Sequence, residues 1–596
     1  MYVHNTRLGL IRMRKSFKHM QVVIVLLLVL LSSSTIFIIG YSNVDSRLKG
    51  PAIFGLSVFL PLSINLFALL LFSYIFVNRY PFLSLVLVFM SFLLKYVMPY
   101  YIFNGYINYD TPIHYLSALY LKDYGLHTSY HYHPWPSSLF LVNMLKAMTE
   151  PNFPSDYSLI AVTSRFLVPL TIYSISKRLL TSSKSVLVAL SVLLIFEPFI
   201  IHPCPQITAV ALTITTIIVF LNWLYGHEHR RLYSLSVLSI SVATYHAVMP
   251  IALTLSILSV LVLYDIIPRL GIIKMNTRAH FENSRIWLVA TILIIVVILY
   301  NIFITVFVTR SIVRTLELVI QGGEARLDVY PLTIESPELK WQYDVTTNIG
   351  RIALLLLIGI PSIIVAVSLL IKYFRSKLNM VERVVFAIAI VAGVNALIFI
   401  VFGVVIKTGL VERLYQISYI LAPILTAYLY ENTTSISFRK SSTGYLRRIS
   451  SLLMLACVFT FIPLSIFTAP SYTSLYADAF GEPEISVALW ISNHISLPHI
   501  NLDGSSRLNQ LIALYLYPHN VYRINLSITR YIEMKALKED YIFPPGTIVS
   551  TRKPLSLGAV TIRGLSDTIL NEYIANFSRY LNKLYTNSIC EVFIAR

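Results

Sequence analysis

Between Asn104 and Ser138 the chain reads NGYINYDTPIHYLSALYLKDYGLHTSYHYHPWPSS, a polar, aromatic and histidine-rich island in an otherwise apolar sequence. Ionisable groups concentrated between apolar spans point to chemistry or ligand binding more than to fold stability. Asp110 and His114 are one helical turn apart, so both can face a single ligand. A carboxylate in that setting can serve as general base or as metal ligand. Pro112 suits the first turn of a helix, and the plainer reading of Asp110 is a helix cap. The run His114–Tyr124 has helical spacing and could lie along the membrane interface, with Asp123 and Gly125 at its end. His127, His131 and His133 offer imidazoles to a metal, a phosphate or a sugar, but their spacing matches no closed zinc pattern. With Trp135 and the neighbouring tyrosines they also suit an aromatic belt.

Other polar groups interrupt apolar runs elsewhere. In His202-Pro-Cys-Pro-Gln206 two prolines force a turn, and His202 and Gln206 can orient a ligand or cap backbone groups. Glu197 lies about a turn earlier, where a carboxylate inside hydrocarbon costs about 2.5–3.5 kcal/mol unless it reaches water or a partner. His246 sits in the turn Tyr-His-Ala-Val-Met-Pro. Arg413 and Tyr415 open a further apolar run after Lys407 and Glu412, and Arg413 either snorkels or holds an anionic head group. Arg310, Arg314, Glu317, Glu324 and Arg326 belong to a long polar segment, 309–348.

The elements that must position these groups are membrane spans. Of 596 residues, 56% are hydrophobic and 13% charged, against about 25% charged in soluble domains. Apolar runs long enough to cross about 30 Å of hydrocarbon predict about thirteen spans. They lie near 20–41, 52–77, 81–100, 157–176, 185–201, 207–225, 232–246, 248–267, 286–308, 349–373, 384–406, 412–430 and 449–468. The region 232–267 reads as one kinked helix or two short ones. The first run follows Arg7, Arg12, Arg14, Lys15 and Lys18, is too long for a signal peptide and is expected to be retained.

The net charge of +19 is carried by short segments between spans, which is how topology is set; no basic stripe with a recognition fold suggests nucleic acid. With the N-terminus cytoplasmic, Lys177, Arg178, Lys184, Arg230, Arg231, Arg375, Lys377 and Arg383 all fall inside. The loop 101–156, the turns at His202–Gln206 and Tyr245–Pro250, the segment 309–348 and the chain beyond 469 then fall outside. Cys204, Cys457 and Cys590 form no disulfide framework or zinc motif.

The expected architecture is therefore mainly α: a polytopic transmembrane helical bundle over 1–468 and a small extracytoplasmic α+β domain over 469–596. In the tail, 484–494, 507–516 and 566–585 are helix-like, and Val560–Ile562 suggests a strand.

Four stretches together resemble the GT-C superfamily of polytopic glycosyltransferases, in particular its large archaeal members. They are Asp110-Thr-Pro-Ile-His114 with Lys122-Asp-Tyr-Gly125 and Tyr132-His-Pro134; His202-Pro-Cys-Pro-Gln206; Tyr245-His-Ala-Val-Met-Pro250; and a tail with Ala488-Leu-Trp-Ile491 and Leu584-Tyr-Thr-Asn587. The resemblance implies a sugar donor on a polyprenyl phosphate or diphosphate, and inverting transfer on the outer face to a lipid, glycan or protein. Asp110 would be general base or metal ligand, with His114 beside it. His131, His133, His202, Gln206, His246 and Arg413 would bind substrate, and a divalent metal such as Mg or Mn is a candidate cofactor. The chain departs from many relatives in lacking a second acid next to Asp110, where His114 takes the nearby position. Two other classes compete. A lipid or glycan transporter or flippase would show charged or broken helices at mid-membrane and pseudo-symmetric halves. A non-catalytic scaffold would leave the Asp110–His133 cluster without a role.

Overall fold

The computed structural model describes residues 56–102, 111–124, 136–149, 155–196, 205–226, 230–246, 248–269, 332–334, 352–400, 412–434, 482–495, 500–504, 524–526, 547–552, 560–562, 581–586 and 590–595, with a few helical residues at 291–295, 455–461 and 511–515. Every expected span from 52–77 to 248–267, together with 349–373, 384–406 and 412–430, is a helix over its described residues. These are α1 (Leu56–Phe76), α2 (Pro81–Ile102), α5 (Ser155–Leu179), α6 (Ser183–Phe196), α7 (Pro205–Gly226), α8 (Arg230–Tyr245), α9 (Met249–Leu261), α10 (Ile352–Phe374), α11 (Met380–Ile398) and α12 (Glu412–Thr434). The expected spans 20–41, 286–308 and 449–468 lie wholly or mostly outside the described residues.

The region 232–267 is resolved as two helices, with a break at His246 and Pro250 in the first turn of α9. A π-helical turn, Val262–Ile266, carries α9 on towards Arg269. Among the described residues four helices are long and apolar enough to cross a bilayer: Leu159–Leu179, Met249–Ile266, Ile352–Phe374 and Met380–Ile398. On α10, Ile352, Leu355, Ile360, Ile363, Val367 and Phe374 stand exposed along one side. Hydrocarbon is the solvent that suits such a surface, and the chain is a membrane protein.

Parallel α5 and α7 hold the bundle in register. Thr208 donates to Ser164 at 2.7 Å, Thr171 and Thr215 share a bond at 3.1 Å, and Arg178 donates to Asn222 at 3.1 Å. Each pair is separated by 44 positions, and successive rungs are one heptad apart, so the two helices run in the same direction while α6 returns between them. Small hydroxyl residues let helices approach closely and bond across the seam where lipid offers no polar partner. Thr171→Val is expected to lower stability by about 0.6 kcal/mol, the usual worth of an interhelical bond in a membrane. Unfolding of the purified protein in mixed micelles measures it.

This alternation gives the bundle two ends. The basic end carries Lys177, Arg178, Lys184, Arg375 and Lys377. There Glu431, near the end of α12, accepts from the Thr181 amide at 2.9 Å and the Thr181 hydroxyl at 2.6 Å. It thereby supplies negative charge at the N-terminus of α6. At the same end α11 opens on a capping box between Asn379 and Glu382, and Lys372 at the end of α10 pairs with Glu382. Lys177, Arg178, Lys184, Arg375 and Lys377 thus share one end. The opposite end carries the segment 103–154 and the α8–α9 break.

Two short helices belong to that opposite end: α3 (Thr111–Tyr124) and α4 (Pro136–Thr149), 14 residues each and so about 21 Å long, too short to span. Asn143 on α4 donates to the Ala118 carbonyl of α3 at 2.7 Å, and Ser137 donates to Thr244 at the end of α8 at 2.7 Å.

The C-terminal part adds helix α13 (Glu482–His494) and a five-stranded mixed sheet in the order β3-β2-β4-β7-β6. The strands are β2 (Ile500–Gly504), β3 (Ile524–Leu526), β4 (Thr547–Arg552), β6 (Leu581–Thr586) and β7 (Cys590–Ala595). β2 is parallel to both β3 and β4; β7 is antiparallel to β4 and to β6. The helix-like reading of 566–585 is corrected over 581–586, which form a strand. Pairing with β7, including a register shift at Lys583/Tyr585, overrides the local helical pattern.

β1 (Leu332–Ile334) pairs antiparallel with β5 (Val560–Ile562), the strand expected from its β-branched run. Strands cannot pair across a bilayer, so Leu332–Ile334 and Val560–Ile562 share one side.

Candidate functional site

At the loop end, α3 places His114 one turn from its start, with 2% of its surface exposed. Tyr115, Leu116, Ser117 and Ala118 are buried with it. Five consecutive buried residues leave this part of α3 with no single solvent face, so the protein encloses it there. Its end emerges: Lys122 and Asp123 are exposed. Asp110, which directly precedes α3, lies outside the described residues, as do His127, His131, His133, Glu197, His202 and the charged residues from Arg310 to Arg326.

His246 occupies the α8–α9 break and is 9% exposed. Its Nδ1 accepts from the Val248 amide at 3.1 Å, at the N-cap of α9. An accepting Nδ1 puts the proton on Nε2 and makes the ring neutral. Part of this histidine's role is therefore structural. Gln206 stands in the first turn of α7 and Arg413 in the first turn of α12, so both belong to the loop end.

Two cations that the motif reading passed over are buried near that end. Lys95, late in α2, is fully buried, and its Nζ donates to the Leu194 carbonyl at 2.6 Å. That carbonyl is in the last turn of α6, where helix geometry supplies no amide partner and a cation favours the helix dipole. Arg165, in the upper part of α5, is 2% exposed, and its Nη2 donates to the Tyr419 hydroxyl at 3.0 Å. Tyr419 packs tilted against Tyr415 at 5.5 Å between ring centroids, and Tyr415 against Phe399 at 5.1 Å, so ring contacts fix the phenol that receives the guanidinium. The Ser164–Thr208 rung lies beside Arg165 on the same helix.

The signal for both cations was legible as a lone basic residue inside an apolar run. Such a residue costs about 2.5–3.5 kcal/mol at the centre of a span and marks function by default. Their partners were not legible, because Leu194 and Tyr419 lie 99 and 254 positions away. Lys95, Arg165, His114 and His246 are each buried in the half of the bundle towards α3 and the α8–α9 break. Among the described residues no group of three or more His, Cys, Asp or Glu side chains comes together to hold a metal.

No family model matches the chain, and no curated protein matches it. Among solved structures it is similar to ArnT from Cupriavidus metallidurans in the apo state, with 10% identity and a TM-score of 0.44, over 85% of this chain and 97% of that one. It is also similar to the same protein bound to undecaprenyl phosphate, with 12% identity and a TM-score of 0.39 over the same shares. At these values the overlap assigns neither a family nor an activity.

Proposed function

We propose that the chain is a membrane glycosyltransferase of the GT-C type, which moves a sugar from a polyprenyl phosphate or diphosphate donor to a lipid, glycan or protein acceptor. The observation that carries this reading is the burial of Lys95, Arg165 and His114 at the loop end of a bundle whose other end holds the interhelical basic residues. By the positive-inside rule that other end is cytoplasmic, and transfer takes place on the outer face.

The reaction follows from the groups present. Asp110 takes the proton of the acceptor hydroxyl or amide as its oxygen or nitrogen attacks the anomeric carbon. The bond from that carbon to the phosphate oxygen breaks, and the lipid phosphate leaves with the electron pair. Attack opposite the leaving group inverts the anomeric centre. Lys95, Arg165 and Arg413 supply positive charge for the phosphate, where charge grows in the transition state. His114, His246, His131, His133, His202 and Gln206 orient sugar and phosphate oxygens. A divalent metal, if one takes part, would be held by Asp110 with a loop histidine and would add charge at the phosphate.

The test is turnover of a labelled polyprenyl-phosphate sugar by the full chain in proteoliposomes, with a panel of lipid, glycan and peptide acceptors. Sugar transfer is the expected result. Movement of the intact lipid between leaflets with no transfer across the panel would make the protein a flippase instead. Chelation with EDTA is expected to reduce transfer at least tenfold, reversibly on adding Mg or Mn, if Asp110 is a metal ligand; unchanged turnover assigns Asp110 to the base role alone.

A further inference from the structure

The basic end of the bundle carries cations that the transferase reading does not use. The Lys95 bond to Leu194 places the later part of α2 beside the end of α6, so α2 starts at the basic end, where α5 finishes. Phe89 of α2 packs against Phe166 and Tyr173 of α5, at 5.5 and 6.0 Å between ring centroids. The three rings are half-buried and floor a seam between the two helices. Exposed apolar residues adjoin it: Phe82, Val86 and Met90 on α2, and Leu167 and Leu170 on α5. Helix spacing puts each of these stripes beside the rings of its own helix, so the surface suits an acyl chain.

Two cations stand at the basic end of this seam. Phe89 is level with the middle of the interval 166–173, so one heptad further on Phe82 comes level with Lys177. Lys177 is exposed, and its Nζ lies over the Tyr173 ring, 5.7 Å from the centroid. A lysine that only snorkels sends its ammonium away from hydrocarbon; this one leans towards it, over a ring one turn deeper. Arg79, exposed in the turn before α2, holds its guanidinium 5.6 Å from the centroid of the Tyr80 ring. Among the described residues neither cation pairs with a carboxylate. Of the carboxylates at this end, Glu431 is engaged by Thr181 and Ser182, and Glu382 by Lys372. Cations beside an apolar seam between helices match an anionic head group with apolar tails, whereas a free anion would use only the cations.

We propose that the α2–α5 seam docks an anionic phospholipid from the leaflet at the basic end. Its phosphate meets Lys177 and Arg79, and an acyl chain lies along Phe89, Phe166 and Tyr173. The site is at the opposite end of the bundle from α3 and does not depend on the transferase reading.

The test is native mass spectrometry of the full chain in a neutral detergent, titrated with dioleoylphosphatidylglycerol or dioleoylphosphatidylcholine. Saturable binding of the phosphatidylglycerol is expected, about twentyfold tighter than the phosphatidylcholine. Lys177→Gln and Arg79→Gln are each expected to weaken it about fivefold, the equivalent of about 1 kcal/mol for one basic residue at a membrane surface. Both side chains are exposed, so the unfolding midpoint is expected to stay unchanged. Arg375→Gln removes an exposed cation of the same end from the α10–α11 turn and is expected to leave binding within about twofold. Equal binding of the two lipids overturns the site, as does an equal loss with Arg375→Gln, which would mark a general basic surface. Unchanged binding in both Lys177→Gln and Arg79→Gln, or complete displacement of the lipid by millimolar inorganic phosphate, overturns it as well.

Discussion

Asp110→Asn is expected to lower kcat/KM for sugar transfer by about a hundredfold to ten-thousandfold, the range over which a positioned general base contributes. The substitution keeps the size of the side chain and removes its ability to take a proton. If Asp110 acts only as the base, binding of the lipid-linked donor stays within about twofold of the original, because the proposed reaction assigns the phosphate to other residues. Donor binding in nanodiscs and single-turnover transfer separate the two quantities. Unchanged turnover would remove Asp110 from the chemistry and leave it as a cap for α3. A parallel loss of donor binding would instead mark it as a ligand to a metal that bridges to the phosphate.

The second large effect is expected at the buried cations. Arg165→Met and Lys95→Met are each expected to reduce kcat/KM for the donor by about a hundredfold to a thousandfold, as removal of one preorganised donor at a developing charge does. Arg165→Lys keeps the charge but loses the planar fork that reaches the Tyr419 hydroxyl, so it is expected to recover only part of the loss. Tyr419→Phe separates positioning from charge: it removes the phenol that receives the guanidinium at 3.0 Å and leaves the cation in place. It is expected to raise KM for the donor more than it lowers kcat. Full activity in Arg165→Met and Lys95→Met would make both residues struts between helices and withdraw the phosphate from this part of the bundle. For Lys95 the strut is visible in the bond to the Leu194 carbonyl, which ties α2 to the end of α6.

The two cations also show where reading by motif stops. A motif scan favours residues clustered in sequence, and it led to the loop at 104–138. Lys95 and Arg165 are isolated in sequence and are brought to one end of the bundle by helix packing. His246 shows the reverse case. Its place in a turn suggested ligand binding, and the structure gives its Nδ1 to the Val248 amide, a structural role at the start of α9. The same limit appears in the tail. The strand at Val560–Ile562 was visible as a β-branched run, whereas Leu581–Thr586 looked helical until its partner Cys590–Ala595 was paired beside it.

By itself the sequence determined that this chain lives in a membrane, where most of its helices begin and end, and which interhelical segments share a side. Those properties follow from hydropathy over about twenty residues and from the count of basic groups, both of which are local sums. The tertiary structure alone decided that α5 and α7 run parallel on a heptad ladder, that Arg165 meets Tyr419 and Lys95 meets α6, and that β2 pairs in parallel with both β3 and β4. Each of these is a contact between residues tens to hundreds of positions apart, chosen by which surfaces pack together once the spans are in the bilayer, and no local sum of residue properties contains it.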